Sequence, residues 1–121
     1  MQSRGTNAQE RRRLRRYHLS YYMPVLDPDT FHVIGHLVDL NKIGLLLDSP
    51  TPLASGKELQ LRIDTTPEVA NKEFIQFTAR VKWCRSDKIQ PSVYNIGLEL
   101  TAISSADADI IQSIVEHFGT R

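Results

Sequence analysis

The stretch FIQFTARVKW, residues 74–83, has the most regular alternation of apolar and polar side chains in this chain. A repeat of two residues places neighbouring side chains on opposite faces of a β-strand, so the stretch predicts a half-buried strand. The alternation puts the tryptophan on the apolar face and therefore predicts that it packs in the core. That face consists of Ile75, Phe77, Ala79, Val81 and Trp83.

Shorter apolar segments on either side of this strand predict five more strands. Residues 27–30, with the sequence DPDT, are a turn signal, and residues 50–56 hold two prolines and a glycine. Polar loops are expected at residues 65–72 and 86–92. The five further strands are predicted at residues 17–26, 31–40, 45–47, 59–63 and 94–100.

The repeat changes near the C-terminus, where apolar residues recur at spacings of three and four, which predicts an amphipathic helix. Ser104 is suited to the N-cap and Gly119 to the C′ position of that helix. Six strands separated by turns and followed by one helix predict a mainly β fold, a six-stranded antiparallel β-barrel with a C-terminal α-helix. The apolar face of the helix consists of Ile110, Ile111, Ile114, Val115 and Phe118.

The composition is that of one globular domain. The chain has 121 residues, of which 40% are apolar and 24% charged, an ordinary balance for a domain of this size. The first residues lack the apolar core of a signal peptide, and no apolar run is long enough for a transmembrane helix. Cys84 has no second cysteine to pair with. We therefore expect a reducing, cytoplasmic setting without membrane insertion.

The N-terminal segment is strongly basic. Residues 10–17 read ERRRLRRY, and residues 1–16 hold six arginines, one glutamate and no lysine. This segment carries a charge of +5, so the remaining chain carries −4 of the total of +1. We expect residues 1–10 to form a mobile tail and the arginines a flexible arm with an anionic partner. Arginine binds phosphate and guanine edges with two parallel hydrogen bonds and stacks on flat rings, which lysine does poorly.

The usual signatures of catalysis are missing from the sequence. His32 and His36 are four residues apart on a predicted strand, a span of about 13 Å that is too long for one metal ion. Residues 55–57, SGK, lack the earlier glycine and the following hydroxyl residue of a phosphate loop. Cys84 has no motif around it, and no pair of carboxylates stands out. We therefore expect neither an enzyme nor a metal site.

A second polar cluster lies in VDLNKIGLLLD, residues 38–48. Asp39 and Asn41 are two residues apart at a strand end, so both can project from one face. Gly44 follows where the chain reverses and suits either a positive φ or a close backbone approach. A purely structural interpretation is a hairpin whose Asp and Asn cap the turn. A carboxylate at position 39 can instead accept hydrogen bonds from the N1–H and N2–H₂ groups of a guanine.

Taken together, these features resemble the PilZ domain family of bacterial cyclic di-GMP receptors. The family pattern is RxxxR followed by [DN]xSxxG on a six-stranded barrel with a C-terminal helix. Arg12 to Arg16 fits RxxxR, with Arg11 to Arg15 as a second register, and residues 39–44, DLNKIG, fit the second motif with Asn41 in place of the serine. VKWCR and YNIGLELTAIS also resemble the family's fifth and sixth strands. The likeness covers residues 10–118, and we expect one domain over residues 11–118.

The resemblance implies a non-catalytic receptor for cyclic di-GMP, bound as one molecule or as an intercalated pair, with no further cofactor. In that interpretation the arginines of the arm grip phosphates and bases, Asp39 reads a guanine edge, Gly44 permits close approach, and Trp83 offers an aromatic contact. Ordering of the arm then changes the surface shown to a downstream protein. Two alternatives remain: an adaptor with a degenerate site that binds no nucleotide, and a nucleic-acid binder that uses the basic arm. The implied ligand-binding residues are Arg11, Arg12, Arg13, Arg16, Asp39, Asn41, Gly44 and Trp83.

Overall fold

The computed structural model describes the backbone of residues 17–19 and 23–120 and the side chains of residues 23–119. The predicted tail and arginine-rich arm lie outside these residues. The strands are Tyr17–Leu19 (β1), Pro24–Leu26 (β2), Val33–Leu40 (β3), Gly44–Ser49 (β4), Glu58–Asp64 (β5), Phe74–Ser86 (β6), Tyr94–Ala102 (β7) and Gly119–Thr120 (β8), and one helix, Ser105–Phe118 (α1), precedes β8.

Six of these strands close into an antiparallel barrel. The strands pair in the order β2-β5-β6-β7-β4-β3, and β3 returns to pair with β2. Closure satisfies the backbone groups that an open sheet would leave at its two edges. The prediction of a mainly β, six-stranded antiparallel barrel with a C-terminal helix is therefore confirmed.

The prediction of one strand over residues 17–26 is wrong, because two short strands share one edge of β3. Tyr17 in β1 pairs with Leu40, whereas Pro24 in β2 pairs with His36. The register of the two pairings differs by three residues, so a single continuous strand cannot make both. The consequence is that β1 lies beside the end of β3 that leads into the turn before β4.

Helix α1 begins where the sequence predicts. The hydroxyl of Ser104 accepts a hydrogen bond from the backbone N–H of Asp107 at 3.1 Å, the usual N-cap arrangement. The helix buries Ile111, Ile114 and Val115 in the same apolar cluster as the barrel strands. Helix and barrel therefore share one core.

The end of the helix differs from the prediction. Gly119 has φ −80° and ψ 147°, which is extended backbone and not the left-handed conformation of a C′ glycine. The chain passes directly into β8, and Thr120 pairs with His18 of β1. Pairing with β1 therefore replaces the expected glycine turn.

A β-bulge in β6 reverses the predicted orientation of the tryptophan. Val81 pairs with Leu98 and Trp83 with Gly97, so Lys82 is the extra residue between the two pairs. One extra residue shifts the alternation of a strand by one position. Val81 is accordingly 1% exposed in the core, whereas Trp83 is 36% exposed on the outer surface. The expectation that Trp83 packs in the core is therefore wrong.

A second bulge acts in the same way on β3. Leu37 pairs with Leu47 and Asp39 with Leu46, which leaves Val38 as the extra residue. Leu37 and Leu40 both lie in the apolar core, whereas Asp39 between them turns out of that core and stays 6% exposed. Bulges are frequent beside functional sites because they re-aim single side chains.

The described part of the chain contains no helix with the length and apolar character that a membrane span requires.

Candidate ligand-binding cleft

The two re-aimed side chains stand at opposite ends of one row across the barrel wall. Asp39 pairs with Leu46, Leu46 with Gly97, and Gly97 with Trp83, on the adjacent strands β3, β4, β7 and β6. Neighbouring strands are about 4.8 Å apart, so the backbones of Asp39 and Trp83 are separated by about 14 Å. The row therefore has an acidic end, a floor of one leucine and one glycine, and an aromatic end.

This row runs along a cleft of about 530 Å³, which we call the Trp83 cleft. A cleft of this volume is of the size that small organic ligands occupy. Its walls come from β3, β4, β6, β7 and the turn between β3 and β4. The lining residues are Asp39, Ile43, Gly44, Leu45, Leu46, Lys82, Trp83, Gly97, Leu98 and Glu99.

The indole of Trp83 is seated on Gly97. A β-carbon added to Gly97 would lie 2.4 Å from Cε2, 2.5 Å from Nε1 and 2.7 Å from Cζ2 of the indole. Any side chain at Gly97 would therefore displace the ring. The guanidinium carbon of Arg85 lies 4.2 Å from the ring centroid, a cation–π contact. The ring thus lies over Gly97 of β7 and contacts Arg85.

The turn before β4 is held by Asn41. Its Oδ1 accepts hydrogen bonds from the backbone N–H groups of Ile43 and Gly44, both at 3.0 Å. Its own backbone N–H donates to the carbonyl of Gly44 at 3.0 Å. The side chain is buried and does not line the cleft. The Oδ1 of Asn41 therefore caps the turn, as the purely structural interpretation predicts.

Gly44 is explained by close approach and not by a positive φ. A β-carbon there would lie 2.6 Å from the carbonyl oxygen of Leu98 on β7, closer than real β-carbons come. Among the described glycines, the one with a positive φ is Gly56, at 88°. The missing side chain lets β4 approach β7 and keeps the floor of the cleft open.

The charged side chains in and beside the cleft form ion pairs with long distances between their charged atoms. Lys82 Nζ lies 3.7 Å from Glu99 Oε1, and Arg80 Nη1 lies 4.0 Å from the same oxygen. Arg80 also contacts Glu58 at 3.5 Å. Of the residues that line the cleft, one is a cation, Lys82, and two are carboxylates, Asp39 and Glu99. Within the described residues, the cleft wall is therefore acidic.

A smaller cleft of about 290 Å³ lies on the other side of the tryptophan and shares Leu46 and Trp83 with the first. It ends at the loop after β6, where Ile89 is 88% exposed.

The pKa of Asp87 in this loop is lowered because the backbone N–H groups of Gln90 and Ile89 donate to its carboxylate. The carboxylate of Asp87 therefore stabilises the conformation of this loop.

The structure brings three of the eight predicted site residues together. Asp39, Gly44 and Trp83 line one cleft, and Asn41 holds the adjacent turn. The four predicted residues of the arm, Arg11, Arg12, Arg13 and Arg16, lie outside the described residues.

Sequence reasoning missed Lys82, Gly97 and Glu99, which also line the cleft. The sequence held one usable signal for them. A glycine in the sixth barrel strand leaves room for a large side chain on the neighbouring strand.

Strand β1 lies beside one end of this cleft. Tyr17 pairs with Leu40, and His18 pairs with Asp39. The backbone of β1 thus lies next to Asp39, at the acidic end of the row. In the part of the chain that the structure describes, no three His, Cys, Asp or Glu side chains are grouped so that they could hold a metal ion.

Comparison with known proteins gives one family and one fold. The profile of the family described as "PilZ domain" matches residues 10–117. No curated protein matches the chain significantly. Among solved structures, the Bacillus subtilis inhibitor of motility MotI/DgrA is similar with a TM-score of 0.67 and 17% identity, over 84% of this chain and 49% of that chain. Similarity at this identity shows the fold alone, and the chain spans about half of that protein's length.

Proposed function

This chain belongs to the PilZ domain family, a cyclic di-GMP-binding family of non-catalytic receptors and adaptors, and we propose that it is itself a cyclic di-GMP receptor. The ligand binds in the Trp83 cleft and is held there by the arginines of residues 11–16. No covalent chemistry is involved. The protein acts by presenting a different surface when the ligand is bound.

The observation that carries this proposal is the pairing of β1. Tyr17, the residue after Arg16, pairs with Leu40, and Leu40 follows Asp39, which lines the cleft. Covalent geometry tethers the Cα of Arg16 within about 3.8 Å of the Cα of Tyr17, whatever its conformation. The residue that follows the RxxxR motif therefore lies beside the acidic end of the cleft.

The arginine-rich arm and the cleft wall carry charges that suit different groups of the ligand. Cyclic di-GMP carries a negative charge on each phosphodiester, and the described cleft wall offers the single cation Lys82 against two carboxylates. Phosphate binding therefore has to come mainly from the arm, whose arginines supply planar bidentate donors. The carboxylate of Asp39 suits the guanine N1–H and N2–H₂ donors instead.

The apolar part of the cleft suits a purine ring. Trp83 offers an aromatic surface at one end, and stacking of a base on an aromatic side chain contributes about 1–3 kcal/mol. Gly44 lets β4 approach β7 closely, and the indole of Trp83 covers Gly97, so the side chain of Leu46 forms the floor between them. A base can therefore lie on Leu46 with its polar edge toward Asp39.

Binding is coupled to the surface that the protein presents. If the arm is ordered only when the ligand bridges it to the barrel, the ligand favours the ordered state by the difference in its affinity for the two states. A downstream protein that contacts the arm and the cleft rim together would then distinguish the two states. This is the output that we propose.

The test is isothermal titration calorimetry with cyclic di-GMP, cyclic di-AMP and GTP. We expect saturable binding of cyclic di-GMP and at least tenfold weaker binding of the other two. Arg16→Ala and Asp39→Asn should each lower the affinity about tenfold or more, because each removes a charged hydrogen-bonding partner. Arg4→Ala is the matched control, since it removes one arginine of the same segment outside RxxxR.

One observation favours the adaptor as a second candidate function. The family serine is Asn41 here, and its Oδ1 is engaged by two backbone N–H groups of the turn. Absence of heat with cyclic di-GMP at high micromolar ligand would favour the adaptor. Equal losses in Arg4→Ala and Arg16→Ala, with steep salt dependence and no base preference, would instead indicate a nucleic-acid binder.

A further inference from the structure

Lys82 owes its position to the bulge in β6. It is the extra residue between the pairs Val81–Leu98 and Trp83–Gly97, so two consecutive side chains, Lys82 and Trp83, line the same cleft. In a regular strand they would face opposite sides. The bulge therefore brings a cationic and an aromatic side chain into one cleft.

The ammonium of Lys82 is held only loosely by Glu99. The two charged atoms are 3.7 Å apart, and the side chains are 56% and 46% exposed. Exposed ion pairs of this kind contribute little to stability. Glu99 is also shared with Arg80 at 4.0 Å. Lys82 can therefore leave Glu99 for a stronger anionic partner at small energetic cost.

Resting on the proposed function, we propose that Lys82 is a further phosphate-binding residue, supplied by the barrel and not by the arm. Glu99 is its internal competitor, which pairs with the ammonium when the cleft holds no ligand. When a cyclic purine dinucleotide binds, the ammonium turns from the carboxylate to a phosphate oxygen. This residue lies outside both sequence motifs that suggested the site.

Glu99 lies where it can compete with a bound phosphate for the ammonium of Lys82. Glu99 is the register partner of Gly44 and of Arg80, so it stands between the turn and the charged side chains of β6. A phosphate that reaches Lys82 must approach this carboxylate. The interaction energy between Lys82 and Glu99 is therefore lost on binding, and its removal should favour the ligand.

A double-mutant cycle tests this assignment with cyclic di-GMP as the titrant. Lys82→Met keeps the length of the side chain and should weaken binding about tenfold, the loss of one charge-assisted contact. Glu99→Gln should strengthen binding about threefold, since it frees the ammonium. The double variant should bind as weakly as Lys82→Met alone. Lys57→Met is the matched control, because Lys57 lines neither cleft.

Several results would overturn the assignment. Unchanged affinity in Lys82→Met, or an equal loss in Lys57→Met, would show that Lys82 makes no specific contact. A gain from Glu99→Gln that persists in the Lys82→Met background would assign the effect to the general field of the carboxylate. A loss in Glu99→Gln would make Glu99 a ligand contact. If the unmodified protein does not bind, the proposed function falls together with this assignment, whereas normal binding with an unaltered Lys82→Met refutes the assignment alone.

Discussion

The indole of Trp83 covers the backbone of Gly97 so closely that a β-carbon at residue 97 would lie 2.4 Å from the ring. The two residues are register partners on β6 and β7. The bulge at Lys82 turns the ring outward, and the glycine gives the ring a place to rest. Together they convert a predicted core residue into the aromatic wall of a cleft.

Gly97→Ala should therefore disturb the cleft more than the fold. The half-exposed indole can swing away, so we expect a stability loss below about 1 kcal/mol, less than overpacking of a closed core. Cyclic di-GMP affinity should fall about tenfold, as lost stacking implies. The emission of Trp83, the single tryptophan of the chain, reports the displacement. In a Trp83→Ala background the added methyl group should have little effect on affinity, and a persisting loss would contradict this explanation.

Trp83→Ala and Leu47→Ala should separate binding from stability. Leu47 is fully buried in the barrel core, so its truncation should lower the free energy of unfolding by about 2–5 kcal/mol. Trp83 lies at the surface, and its truncation should lower that free energy by less than about 1.5 kcal/mol. Urea unfolding with a parallel titration measures both quantities. A larger stability loss for Trp83→Ala would place the ring in the core after all.

Asn41→Ala should loosen the turn between β3 and β4. It removes the acceptor of two backbone hydrogen bonds, of Ile43 and Gly44, and we expect a loss of about 1–2 kcal/mol. Asn41→Ser should recover part of that loss, because a hydroxyl caps such turns more weakly. Urea unfolding measures both. Unchanged stability in Asn41→Ala would contradict the role of Oδ1 in the turn.

Asp107→Ala should weaken the attachment of α1 to the barrel. The buried carboxylate accepts hydrogen bonds from Lys72 Nζ at 2.7 Å and from the backbone N–H of Gln76 at 3.3 Å. Loss of these two hydrogen bonds to a charged acceptor should lower the free energy of unfolding by about 2 kcal/mol. Asp109→Ala, an exposed aspartate on the same helix, is the control. Equal losses in the two variants would exclude a specific role for Asp107.

Acid should loosen the loop after β6. The lowered pKa of Asp87 comes from the N–H groups of Gln90 and Ile89, so this carboxylate stabilises the folded loop above its ordinary pKa of 3.8. That contribution is lost as the pH falls through the lower folded-state pKa. Asp87→Asn keeps an acceptor without the charge. The difference in melting temperature between the two proteins should therefore narrow below about pH 3.8, and a constant difference would contradict the linkage.

Much of the fold could be predicted because side chains alternate strictly along any stretch of a strand that itself contains no extra residue. The strand from Ile75 to Val81 and the helix with its Ser104 cap follow directly from the local pattern. The order of the motifs also predicted the PilZ domain family, which the match over residues 10–117 confirms.

Only the tertiary structure decided where the alternation breaks. A bulge exists because one strand has a residue more than its partner between two pairs, and no single strand carries that information. Lys82 is extra only with respect to Leu98 and Gly97, as Val38 is only with respect to Leu47 and Leu46. The same holds for Gly119, which is extended because β1 offers it a partner. The sequence determined which segments form the barrel, and pairing between distant segments decided that Asp39 and Trp83 face the same cleft.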